Sequence, residues 1–237
     1  MRLCTFKNFI LLLACLKIHS LFAHELSWAA TPAHQQGVPV IEKSLKLADS
    51  YFFDGIQKPE NAALESFKKG QAVLDDAEKT PALDNRQKAE IIARQARFFG
   101  QIGMMSGNRE KVRLGKEIKS LADQSLALDS ENALGNAVLG IWHYELARLS
   151  GVERFFAHLL YGDVPEGSFE TALKFLRIAI ARDPSNIHYR LFCIKALLEL
   201  DRKAEAQAQA DEALKLPEIY VTDAADRRAL KEIQKRF

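Results

Sequence analysis

Two sets of alanines set the frame for this chain. Ala172 and Ala206 stand 34 residues apart, and so do Ala179 and Ala213. Within each set the two alanines are seven residues apart, and a proline follows: Pro184 five residues after Ala179, Pro217 four after Ala213. Residues seven apart share one face of an α-helix. Each set therefore marks a helix with a small-residue face that a neighbour can approach closely. The proline cannot continue the helix and turns the chain into the next one. A unit that recurs at 34 residues buries its apolar face only by stacking on its neighbours.

A period of 34 is that of the tetratricopeptide (TPR) repeat. A third copy lies upstream, where residues 125–130 align with residues 179–184. Counting on from it, Leu139-Gly140 falls where the TPR pattern places Leu-Gly in its first helix. A fourth, degenerate pair spans residues 62–78 and 88–105. The offset from Ser130 to Pro184 is 54 rather than 34, so 20 additional residues are accommodated there. The expected fold is all-α: a TPR-like solenoid of helical hairpins over residues 38–237, with an extra helix inserted between repeats.

The rest of the pattern agrees. Apolar residues recur at three- and four-residue spacings from Val40 onward, and no stretch alternates with period two for long. Hydrophobic residues make up 48% of the 237 positions, with only 12 Gly and 7 Pro, so the segments between breaks are free to be helical. Asp84, Ser168 and Thr222 stand at starts where a side chain can cap the first turn.

The first 37 residues read differently. Arg2 and Lys7 precede the apolar run Phe9 to Leu16, and a second apolar patch ends at Ala23. That order is expected of a signal peptide (residues 1–23), cut after Ala23, with residues 29–33 as a second option. The run is too short for the roughly 20 apolar residues of a membrane span. A rival reading makes Cys15 the lipidated terminus of a lipoprotein. Residues 24–37 show no period and are expected to be a disordered leader. The expected location is the periplasm or outside the cell, with no transmembrane span after cleavage. Without residues 1–23, which hold three basic residues and no acidic one, 30 basic and 31 acidic residues remain. Such a balance leaves no footprint for nucleic acid.

The inserted residues lie around 149–167. Val152, Phe155, Phe156, Leu159 and Leu160 form one apolar stripe on a short helix, which ends before Gly162, Pro165 and Gly167. Two uses are open. The helix packs across its own concave surface as core, or it lines a groove for a peptide helix or a lipid. Around it stand Leu139-Gly140-Ile141-Trp142-His143-Tyr144, Leu149-Ser150, then Ala172-Leu173, Phe175-Leu176 and Ala179, and later Ala213 to Pro217 with Thr222-Asp223. This string resembles the regulator of microtubule dynamics family from about Gly115 onward, and more loosely before it. Gly151 departs from that family's pattern, which has an aromatic there. The resemblance implies the fold and repeat layout of an exported, bacterial-looking relative, and no defined ligand.

The motifs of chemistry are absent from the sequence. None of the six histidines forms His-Glu-x-x-His, and there is no Gly-x-Ser-x-Gly, phosphate loop or Cys-x-x-Cys. Cys193, in an apolar run, is expected to be a buried small residue. The reading is therefore a scaffold without catalytic residues, metal or cofactor, binding an unidentified protein or peptide segment in a concave groove. Its expected contacts are Trp142, Tyr144, Phe155, Phe156 and Tyr161, since aromatic anchors dominate interface energy when exposed. The alternative is a carrier of a lipid or other apolar ligand.

Overall fold

The computed structural model describes residues 40–162 and 164–235. The expected signal peptide and its cut, Cys15 and the leader over 24–37 lie outside the described residues. Among those described, the regular structure is helical: α1 Val40–Ile56, α2 Glu60–Glu78, α3 Asn85–Met104, α4 Asn108–Leu128, α5 Ala133–Ala147, α6 Gly151–Tyr161, α7 Phe169–Arg182, α8 Ile187–Glu199, α9 Lys203–Ala213 and α10 Asp223–Gln234.

The helices pair as antiparallel hairpins, α1 with α2, α3 with α4, α5 with α7 and α8 with α9; α10 closes the stack on α8 and α9. The alanine register explains the C-terminal pairs. Ala172, Ala179, Ala206 and Ala213 are all without solvent exposure, so equivalent positions on α7 and α9 receive the neighbouring helix. The 54-residue offset recurs in backbone detail. Asp129 and Asp183 end α4 and α7, each donating its N–H to the carbonyl of Ser125 or Ala179 at 2.9 Å. Asn132 and Asn186 then cap α5 and α8. The two junctions are one motif used twice, and α8 is the counterpart of α5. The structure thereby sharpens the place of the insertion. Helix α6 lies inside the third hairpin, on the link between α5 and α7.

Two large apolar clusters and a smaller one around Ala137, Ala179 and Tyr189 hold the stack. In the N-terminal half Phe52, Phe67 and Phe98 meet, with the Phe52 and Phe98 rings edge-on at 5.4 Å. In the C-terminal half Leu173, Leu176, Ile187, Ile194, Leu197 and Leu230 come together from α7, α8 and α10. Cys193 is buried there as a free thiol, its pKa pushed up by burial to about 11. Asp84 caps α3 in a full capping box with Gln87, and Ser168 caps α7. Thr222 does not cap α10. Asp223 binds the turn instead, its carboxylate accepting from the N–H groups of Ile219 and Tyr220 at 2.7 Å.

Candidate interaction surface

The third hairpin carries the five aromatic residues that the sequence singles out, and the structure divides them. Trp142 and Tyr144 are 7% and 4% exposed. They are core residues, not groove anchors. Helix α5 has neighbours on more than one side, α3 and α4 on the one hand and α7 and α8 on the other, so it buries residues on more than one face. Residues two apart on it point to different neighbours. Trp142 turns toward α4, where its Nε1–H donates to the Gly115 carbonyl at 2.7 Å. Tyr144 turns toward α7 and α8, where its ring meets Phe169 at 5.8 Å and Phe192 edge-on at 5.6 Å.

Phe155, Phe156 and Tyr161 lie on α6, and there the outcome is reversed. Phe155 is 62% exposed and Phe156 39%, their rings edge to face at 5.5 Å. Tyr161, at the end of the helix, is half-buried. Val152, Leu159 and Leu160 are exposed by 67%, 65% and 54%. Ala157 is the one buried residue of α6. The stripe therefore does not pack across the solenoid as core. It faces outward, and the extensive helix–helix packing runs among the other helices.

The local chemistry shows why α6 is nonetheless a defined helix. Ser150 and Glu153 form a capping box, Glu153 N–H to Ser150 Oγ at 3.2 Å and Ser150 N–H to Glu153 Oε2 at 2.8 Å. Arg154 ties the helix to its surroundings. Its guanidinium donates to the Leu146 carbonyl on α5 at 2.6 Å and to the Pro165 carbonyl at 3.0 Å. The returning chain passes close to α5 at Gly167, where a Cβ would press into the His143 carbonyl and the Ala147 nitrogen, both backbone. Gly167→Ala is accordingly expected to push the chain at 164–168 off α5. It should cost roughly 2 kcal/mol and release Arg154 from Pro165. Thermal unfolding with hydrogen exchange over 151–161 checks this; unchanged protection there would refute it.

The ionisable groups near the hairpin are partly buried against its helices. His143 stacks on Phe175 at 5.8 Å, and burial, then Lys119, holds its pKa below the usual histidine range. Burial raises the Glu145 carboxyl, which Arg148 pairs at 3.4 Å. A cavity of about 350 Å³ lies between α7, α8 and α9, lined by Arg177, Arg190, Cys193, Glu205 and Glu212 among others. Its charges are paired within the wall, Arg190 with Glu212 and Arg177 with Glu205. Among the described residues no three His, Cys, Asp or Glu side chains are placed to share a metal ion, and no helix is long and apolar enough to cross a membrane.

A further cluster escaped the sequence reading. Asp49 on α1 accepts from Arg94 on α3 at 3.1–3.2 Å and also from Arg97, while Arg94 pairs with Glu90. Partners 45 and 48 residues apart in the chain leave no local signal.

The model of the family described as Regulator of microtubule dynamics protein 1-3 matches residues 41–237. The chain belongs to this family. The match takes in the N-terminal hairpins, well before the point at Gly115 where the residue-level likeness becomes close. Among the relatives, bovine regulator of microtubule dynamics protein 3 is 27% identical over 171 residues, covering 71% of this chain and 36% of the relative. The rat protein 3 is 24% identical, covering 68% and 36%. The Caenorhabditis elegans protein 1 is 29% identical over 127 residues, covering 54% and 56%. The chain thus spans about a third of the mammalian relatives and about half of the nematode one. Its shared portion with the regulators of microtubule dynamics is the helical-hairpin stack.

Proposed function

We propose that this chain is a TPR-like interaction scaffold, placed outside the cytoplasm, that binds a protein segment with the outward face of α6 as the contact element. Its role is binding rather than catalysis. The observation that carries the reading is the outward apolar face of α6. A capped, tethered helix that keeps Val152, Phe155, Leu159 and Leu160 in water is stable without them and gains only when something covers them. The export part rests on the residue pattern of positions 1–23. The relatives are named for regulating microtubule dynamics, and from them we carry over the scaffold role alone.

A pull-down from envelope extract with wild type and Phe155→Ala/Phe156→Ala tests this. The variant should recover the specific partner about tenfold less well while its helix content and unfolding temperature stay unchanged, because both rings are outside the core. Equal recovery by both proteins would remove α6 from the binding role.

A further inference from the structure

From the area, spacing and charge of α6 we infer that the partner covering it is a second copy of this chain, the two helices packing face to face across a twofold axis. The inference rests on the binding role proposed above and names the partner for that surface.

Area is the first argument. The five stripe residues are open by 39–67%; with roughly 150–250 Å² for each phenylalanine and less for the valine and leucines, they present on the order of 500 Å² of apolar surface. That is near the upper end of what a monomer exposes in one patch. Two such faces brought together bury about 1,000 Å², the threshold of a specific interface. A twofold contact needs a patch that fits itself, and a single straight stripe does. The second argument is spacing. Positions 152, 155, 156, 159 and 160 follow the three-and-four alternation by which two helices interlock side chains along a seam. The third is charge. A helix that lies on a membrane surface carries Lys and Arg on its polar face. The one Lys or Arg within residues 151–161 is Arg154, and its guanidinium is committed to the Leu146 and Pro165 carbonyls. The face is thus apolar without the cationic rim that lipid headgroups reward.

Sedimentation of the full chain over a concentration series, with wild type and Leu159→Glu, tests the inference. Leu159 is outside the core, so the charge does not disturb the hairpins, which circular dichroism verifies. Wild type should shift from the mass of one chain to that of two as concentration rises. Leu159→Glu should remain at one chain, its dissociation constant raised at least tenfold. A wild type that stays at one chain throughout overturns the inference, as does a dimer that Leu159→Glu leaves intact. Flotation of monomeric protein with phosphatidylcholine vesicles, lost in Leu159→Glu, also overturns it and gives the face to lipid. A monomer that still captures a partner through Phe155 and Phe156 ends the second-copy inference alone. A dimer that captures nothing ends the wider scaffold reading and leaves the inference standing.

Discussion

Gly140→Ala is expected to destabilise the protein by about 2 kcal/mol, although alanine is the better helix former by about 1 kcal/mol. The sign is set by contact. A Cβ at position 140 of α5 would lie 2.6 Å from Cγ and 3.1 Å from Cδ2 of Leu176, and 3.2 Å from the Ala172 carbonyl oxygen, on α7. Leu176 is without solvent exposure and sits in the C-terminal cluster, so it cannot swing clear. The oxygen is backbone and moves only if the hairpin opens. The overlap therefore separates α5 from α7, the two helices that span the insertion. Urea denaturation measures the loss. Leu176→Ala alone should cost 2–5 kcal/mol as a cavity, by the usual range for such truncations. In Gly140→Ala/Leu176→Ala the new methyl occupies part of that cavity, so the double variant should lose less than the two singles combined, by about 1 kcal/mol or more. Strict additivity, or a Gly140→Ala protein as stable as wild type, would show that the close approach is not what glycine serves.

That prediction begins in the sequence. The alanine register and Leu139-Gly140 mark small residues at the places where helices must touch, and the structure packs α5 on α7 and α9 on α8. Breaks at Asp84 and Ser168 were legible because a cap is a local device, complete within four residues. Thr222 shows the limit of that logic. It has the right type and place, but Asp223 lies one residue on with a carboxylate that reaches two N–H groups of the preceding turn.

The surface was legible only in part, and for a physical reason. Periodicity tells which residues share a helix face; it does not tell what stands opposite. Phe155 and Leu159 form as good a core stripe as Leu173 and Leu176 do. The difference is that α7 has α5 and α8 against it, whereas α6 hangs from a link with Arg154 and Gly167 as its moorings. Conversely, Trp142 and Tyr144 have the chemistry of interface anchors and are spent inside, because α5 has neighbours on both of the sides they point to. Aromatic type alone does not separate an anchor from a core residue; the number of packed faces does.

A large loss is also expected at Asp49, a position with no sequence signal at all. Asp49→Ala should destabilise by about 3 kcal/mol or more. It removes the carboxylate that Arg94 and Arg97 share while leaving both guanidinium groups in place, their side chains only 16% and 19% exposed. Glu90 still pairs with Arg94. Arg97 keeps no carboxylate partner, only the rings of Phe52 at 4.0 Å and Phe98 at 5.9 Å. The damage should be local as well as global, since this cluster ties α1 to α3; hydrogen exchange ought to rise first over residues 41–56. The pH dependence gives an independent readout. Burial by itself would raise the Asp49 carboxyl, but Arg97 and Arg94 outweigh it and hold the pKa below its usual 3.8. A carboxylate with a depressed folded pKa adds stability that is present above the unfolded pKa and is lost as pH falls through the folded one. The gap between wild type and Asp49→Ala should therefore stay constant from pH 8 down to about 5. It should begin to close only near and below the ordinary carboxylate range. A gap that closed between pH 7 and 5, or one that never opened, would mean that the two arginines do not depend on Asp49, and that the Phe52–Phe67–Phe98 cluster holds α1 without them.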